Sequence, residues 1–294
     1  MVDELNRLSS EQRDLLARWV PDAQVVADHS WELVETVVLE LSSEQGRLVL
    51  KAGGPGDHHI GRELRAHREW LRPWASTGHA PELLYGDAVT KVLVTRYLSG
   101  RLLEGTPAQD DPETYRQAGE LLAKYHSQVS ATDHEWHDKF RARVLRFLDL
   151  PHRIDAGIEE AVRSEVPTWP GGGSRVVPTH GDWQPRNWLI DRGVVRVIDF
   201  GRADLRPPTE DFVRLARQDF SRDPGLEAAF LDGYGDDPRD PEQWRRELLG
   251  EAVGTAVWAY GLGDEEFERF GHRLLATLVP GDECVDRTRG GAPR

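Results

Sequence analysis

The chain has 294 residues, a mass of 33.2 kDa and a hydrophobic fraction of 38%, with 10 Trp, 8 Phe and 6 Tyr. That length suits two lobes or two domains, and the aromatic content supplies a core that a disordered chain lacks. With 51 acidic residues against 37 basic ones the formal charge is −14, which excludes a basic nucleic-acid footprint and suits a cationic small molecule or a metal-loaded nucleotide.

The segment from Leu5 to Trp19 reads as an amphipathic helix, with Leu5, Leu8, Leu15, Leu16 and Trp19 as its apolar members. The first twenty residues hold no apolar core or cleavage site of a secretory signal, and no later run approaches the ~18 apolar residues of a membrane span. One cysteine, Cys284, excludes an intrachain disulfide and a cysteine metal cluster. The expected compartment is the cytoplasm, and the expected state is a monomer or homodimer without a nucleic-acid or membrane partner. Strands are predicted over 24–27, 35–41 and 47–52, with a turn at Gln45-Gly46. Gly53-Gly54-Pro55-Gly56 ends that meander, and a helix follows over 60–74. Short strands at 83–85 and 92–97 complete a small sheet carrying one internal helix.

Beyond Gly100 the pattern turns helical. Ala118, Leu121, Leu122 and Tyr125 form a buried stripe within a helix over 112–129. Helices are predicted over 134–148 and 154–164, and the stretch 167–174 reads as a loop. Two short strands, 188–190 and 194–198, flank Asp191-Arg192-Gly193. Helices return over 210–220, 226–234, 242–262 and 265–278. A β-rich region followed by a helical one is an α+β architecture.

The segment His180-Gly181-Asp182-Trp183-Gln184-Pro185-Arg186-Asn187 carries the chemistry. Asn187 lies five residues after Asp182, and Asp199-Phe200-Gly201 begins twelve residues after Asn187, at the end of a strand. Hairpin pairing brings an Asp, an Asn and a second Asp to one edge. Phosphoryl transfer needs such a set, because positioning and charge neutralisation dominate it. Asp182 suits the group that orients an attacking hydroxyl and accepts its proton. Asn187 and Asp199 offer the hard oxygens that magnesium takes. The chain has only four lysines, and Lys51 ends an apolar β-run, where a compact charge can hold nucleotide phosphates.

These residues resemble a family. His-Gly-Asp, four residues, then Asn, and a strand-borne Asp are the mark of the aminoglycoside phosphotransferase and choline kinase superfamily. Leu48-Val49-Leu50-Lys51, with Arg62-Glu63 opening a helix, resembles its small lobe. Leu122-Ala123-Lys124-Tyr125-His126 resembles the helix after its hinge. The resemblance runs from about Pro21 to Leu278 and implies a protein-kinase-like fold of two lobes. Residues 1–98, with the leading helix, would be the small β-rich nucleotide-binding lobe. Residues 99–285 would be the larger, mainly helical catalytic and substrate lobe, and 286–294 a flexible tail. It further implies ATP or GTP with Mg²⁺, Glu63 as the partner of Lys51, and a hinge, Thr95-Arg96-Tyr97-Leu98, whose backbone groups read the base edge; Glu69, nearly two turns further along the helix, is the rival partner.

Two departures separate the chain from protein kinases. The turn Asp28-His29-Ser30-Trp31-Glu32 has no glycine, although Ser30 is a candidate phosphate donor, and no Ala-Pro-Glu segment follows Asp199. The expected function is therefore ATP-dependent transfer of a phosphoryl group to a small-molecule hydroxyl. A cationic acceptor of aminoglycoside or amino-alcohol type, as in antibiotic resistance, comes first. A metabolic sugar or choline-like kinase and a catalytically idle nucleotide-binding module are the alternatives. Candidate acceptor walls are Trp183, Arg202, Asp204, Glu251, Trp258, Asp264 and Glu265.

Overall fold

The computed structural model describes residues 4–31 and 35–279. Glu32 of the first turn, Cys284 and the tail 286–294 lie outside the described residues.

A 3₁₀ turn, Glu4–Arg7, precedes helix α1 (Ser10–Trp19). The single helix expected from Leu5 divides at Ser9, whose hydroxyl accepts from the Gln12 amide while the Gln12 side chain accepts from the Ser9 amide. Strands β1 (Gln24–Asp28), β2 (Val37–Ser43) and β3 (Gly46–Ala52) form the meander. Helices α2 (His59–Glu69) and α3 (Arg72–Ser76) replace the one helix predicted over 60–74. Pro73, at the start of α3, has no amide to continue the α2 ladder. β4 (Leu83–Asp87) and β5 (Val92–Arg96) complete an antiparallel sheet of order β1-β2-β3-β5-β4.

Alternation along these strands gives the sheet two faces. Leu39, Leu41, Leu48, Leu50, Val92 and Val94 pack with Leu8, Leu16 and Val20. Each fully buried leucine there contributes about 1.5–3 kcal/mol. The other face carries Val38, Glu40, Val49 and Lys51, with Val38 opposite Lys51 and Glu40 opposite Val49.

The chain continues through β6 (Arg101–Leu102), α4 (Pro112–His126) and β7 (Ala131–Asp133) to α5 (Trp136–Leu148) and α6 (Ala156–Glu165). Strands β8 (Ser174–Thr179), β9 (Trp188–Asp191), β10 (Val194–Val197) and β11 (Asp204–Arg206) follow. The last helices are α7 (Val213–Arg217), α8 (Asp219–Arg222), α9 (Pro224–Tyr234), α10 (Pro241–Leu262) and α11 (Glu265–Leu278). A β-sheet N-terminal region is thus followed by a helical C-terminal region.

The chain forms two compact units, Met1–Ala131 with Arg175–Pro238, and Thr132–Ser174 with Arg239–Arg294. The first contains the large sheet, the β9–β10 hairpin, and α4 packed on α9. The second is helical, built around Phe140, Val144, Trp169, Leu249, Val253 and Leu275. The helix predicted over 210–220 is instead a 3₁₀ turn, Pro208–Asp211, followed by α7 and α8. Strand β11 was not expected; it pairs with β8, placing Asp204 opposite Thr179 and Arg206 opposite Val177.

Candidate active site

All the groups proposed for the chemistry lie in the first unit. The loop after β8 is fixed by Asp211. Its carboxylate accepts from the amides of His180 and Gly181, at 2.8 and 2.7 Å, and lies 3.1 Å from His126 Nε2. Burial would raise the Asp211 carboxyl, but these donors and the neighbouring histidines hold it below its ordinary value. His180 is fully buried, with Nε2 3.1 Å from the Ile198 carbonyl and Nδ1 accepting from the Asp182 amide at 3.3 Å. It therefore ties the loop to the strand leading to Asp199.

Gly181 turns this loop with φ +76°, and a Cβ there would stand 2.4 Å from Arg206 Nη1 and 2.5 Å from the Arg202 carbonyl. Gly181→Ala is expected to lower stability by about 1–3 kcal/mol. Urea unfolding tests this, and an unchanged midpoint would contradict the tight turn.

Asp182 is held on both oxygens. Oδ1 accepts from Gln184 Nε2 at 2.5 Å and pairs with Arg214 Nε at 2.7 Å. Oδ2 accepts from Arg186 Nη2 at 2.7 Å and Asn187 Nδ2 at 3.0 Å. Burial alone would raise this carboxyl; the guanidiniums of Arg214, Arg186 and Arg202 overrule it and hold it well below the usual carboxylate range.

Lys51 Nζ lies 2.9 and 3.0 Å from the Glu63 oxygens and 3.1 Å from Asp199 Oδ1. Glu69, the rival partner, is exposed on α2. Burial would lower the Lys51 ammonium, but the carboxylates of Asp199 and Glu63 outweigh it and raise it. Burial, with Lys51 nearby, pushes His67 down to about 3, so the imidazole is neutral. Asp199 has φ +67°, a left-handed conformation that asparagine and aspartate tolerate best and that clusters at functional positions. Phe200 anchors it, buried among His67, Trp74, Tyr125 and His180. His59 Nδ1 lies 2.9 Å from the Gly201 carbonyl and ties the same loop to α2.

The oxygen donors suit magnesium. Asn187 commits its Nδ2 to the Asp182 carbonyl and carboxylate, leaving Oδ1 without a hydrogen bond among the described residues. Asp199 gives Oδ1 to Lys51 and keeps Oδ2 on a half-exposed side chain. One amide and one carboxylate fit a cation that also takes phosphate oxygens and waters.

Other candidates have different places. Ser30 Oγ donates to Asp28 and accepts from Arg7 and the Val38 amide, so it belongs to the turn rather than to a phosphate. Thr95 is buried on β5 opposite Val49. The Tyr97 amide donates to the Arg47 carbonyl at 3.0 Å, and the Arg47 guanidinium lies 3.8 Å above its ring. Trp183 is fully buried against Trp74, His180 and Trp188; it is core, not an acceptor wall. Asp204 is bonded to Arg65 at 2.6 Å and stands 4.0 Å from Arg62, so its charge is already matched. In the second unit, Asp264 caps α11 by accepting from the Phe267 amide, and Glu265 opens that helix. Trp258 packs edge-on to Phe267, and Glu251 is half-buried on α10.

The sequence reading missed Asp211, Arg186 and Arg214. Arg186 lies within the segment 180–187, and Asp211 at the start of a predicted helix. Only the folded loop shows that all three converge on His180, Gly181 and Asp182.

The phosphotransferase enzyme family model (APH) matches residues 34–246. No curated protein matches the chain in sequence. Among solved structures, a thermostable mutant of aminoglycoside phosphotransferase APH(4)-Ia, in ternary complex with AMP-PNP and hygromycin B, is similar with a TM-score of 0.68. Its identity is 14% over 92% of this chain and 98% of that one. Choline kinase LicA from Streptococcus pneumoniae gives 0.67 at 12% identity, over 91% of this chain and 96% of its own. Macrolide 2'-phosphotransferase MphH from Brachybacterium faecium gives 0.57 at 14% identity, over 92% and 97%. At these identities the likeness is one of fold, whereas the family model spans most of the chain. The chain belongs to the phosphotransferase enzyme family.

Proposed function

We propose that this phosphotransferase moves the γ-phosphoryl group of ATP to a hydroxyl of a small molecule, with residues 1–98 as the nucleotide lobe. One observation carries the reading: a single lysine on β3 is bonded to both Glu63 and Asp199, beside a loop presenting Asp182 and Asn187. Lys51 would neutralise phosphate oxygens, with Glu63 fixing its direction. Asn187 Oδ1 and Asp199 Oδ2 would hold magnesium. When bound, the metal supplies positive charge against the oxygens of the transferring group. Asp182 would orient the acceptor. The acceptor oxygen bonds to the γ-phosphorus, the bond to the β–γ bridging oxygen breaks, and the hydroxyl proton passes to the carboxylate as ADP leaves. GTP offers the same phosphates.

The similar structures support a nucleotide donor and amino-alcohol or antibiotic acceptors as a starting panel. The net charge of −14 supports attraction of cations at long range. The arginines on Asp182 support no cation at the hydroxyl itself. A catalytically idle nucleotide-binding module is the second reading, favoured by the full complement of donors on that carboxylate.

A coupled ADP-release assay over aminoglycosides, amino alcohols, sugars and hydroxy acids tests the proposal. Acceptor-dependent ADP release is expected. Lys51→Ala is expected to lower it by about 10²-fold or more, since a phosphate-directed charge is lost from the transition state. Nucleotide binding without turnover on any acceptor would favour the idle module.

A further inference from the structure

The charge around Asp182 is opposite in sign to that of the chain. Arg186 is paired with one of its oxygens and Arg214 with the other. Arg202 is half-buried close by, and its guanidinium has no hydrogen bond or ion pair among the described residues. The three guanidiniums are near enough to repel one another: burial lowers Arg202, Asp182 raises it, and Arg214 and Arg186 lower it further.

A carboxylate offers about four lone-pair directions. Gln184, Arg214, Arg186 and Asn187 take all four on Asp182. An acceptor hydroxyl can therefore reach the carboxylate only if one donor turns away. Gln184 and Asn187 are buried, at 4% and 5% exposure, within the loop that they brace. Arg186, with its side chain 44% exposed, is the donor with room to move. A guanidinium leaves a carboxylate readily only for another oxyanion, which replaces the charge-assisted bond it gives up. A cation in the same place would meet three guanidiniums, whose charge exceeds that of the Asp182 carboxylate; the other nearby anion, Asp199, is already paired with Lys51.

We infer that the acceptor carries an anionic group, a carboxylate or a phosphate, close to its hydroxyl, and that this group draws Arg186 off Asp182 as the hydroxyl arrives. This rests on the phosphotransfer reading above and names the acceptor class for it. Arg186 is then a specificity-determining residue. Arg214 and Arg202 keep the surroundings of Asp182 selective for negative charge. Lys51 and Asp199, bonded to each other, belong to the nucleotide side.

The test compares acceptors matched in carbon number: glycerate and glycerol 3-phosphate, glycerol, and amino alcohols such as ethanolamine, extended to longer hydroxy acids, sugar phosphates, sugars and aminoglycosides. ADP release gives rates, phosphorus NMR identifies the product, and calorimetry gives Mg-ATP and Mg-ADP affinities. Wild type is expected to favour an anionic acceptor over its neutral match by about 10- to 100-fold in kcat/KM, with the amino alcohols lowest. The carboxylate and phosphate series show which oxyanion is read. Arg186→Gln is expected to remove about tenfold of that preference, mainly through KM of the anionic acceptors. Mg-ATP affinity should stay within about twofold. Transfer that is indifferent to charge, or best with a cationic acceptor, overturns the inference and leaves phosphotransfer standing. A selective loss of ATP over ADP affinity in Arg186→Gln assigns the guanidinium to the γ-phosphoryl group and also overturns it. No transfer to any acceptor overturns both.

Discussion

Asp182→Asn is expected to lower phosphoryl transfer by about 10²- to 10⁴-fold while Mg-ATP still binds. Asparagine keeps the size of the side chain and one acceptor oxygen, but it cannot take a proton. It also puts an N–H₂ group where the carboxylate now accepts bonds from Arg186, Arg214, Gln184 and Asn187. Two guanidiniums lose their anion, so a modest loss of stability accompanies the loss of rate. Urea unfolding separates the two effects, and rates are compared where both proteins are folded. The carboxylate of the wild type is held ionised by Arg214 and Arg186 against its burial. In that clamp it is a weak base. Withdrawal of Arg186 would raise its basicity as the hydroxyl arrives. An Asn variant with wild-type turnover would remove Asp182 from the chemistry.

Asp199→Ala is expected to lower magnesium-dependent ATP affinity by about 10²-fold or more. It deletes an oxygen proposed to face the metal and one of the two anions holding Lys51. Glu63 remains bonded to the ammonium, so the lysine keeps its direction. Alanine must also adopt the φ of +67° now held by aspartate, which costs about 1–2 kcal/mol locally. Calorimetry with and without magnesium reads the metal-dependent part. An affinity that falls equally in its presence and absence would mean that Asp199 acts only through Lys51.

The sheet was legible because its strands alternate. Leu48, Leu50 and Ala52 bury one face while Lys51 stays on the other, so the lysine could be placed before any contact was known. The five-residue spacing from Asp182 to Asn187 was equally plain, because it is short and local. Strand β11 was hidden: Asp204-Leu205-Arg206 has no pattern of its own and is extended only because β8 lies beside it. The helix expected across Glu210–Phe220 failed for a related reason. Asp211 accepts from two amides of the loop after β8, and α7 starts only beyond it. The arginines gathered around Asp182 were hidden as well. Net charge averages over the whole chain, whereas Arg186, Arg202 and Arg214 meet only through a loop, a turn and a helix 28 residues apart at most.

The most direct measurement is calorimetric titration of wild type, Asp182→Asn and Asp199→Ala with ATP, in magnesium and in a chelator. Wild type and Asp182→Asn should bind ATP with affinity that rises with magnesium, and Asp199→Ala should lose that rise. Absence of nucleotide binding in the wild type, or the same loss in both variants, would contradict the division between a nucleotide side at Lys51 and Asp199 and an acceptor side at Asp182.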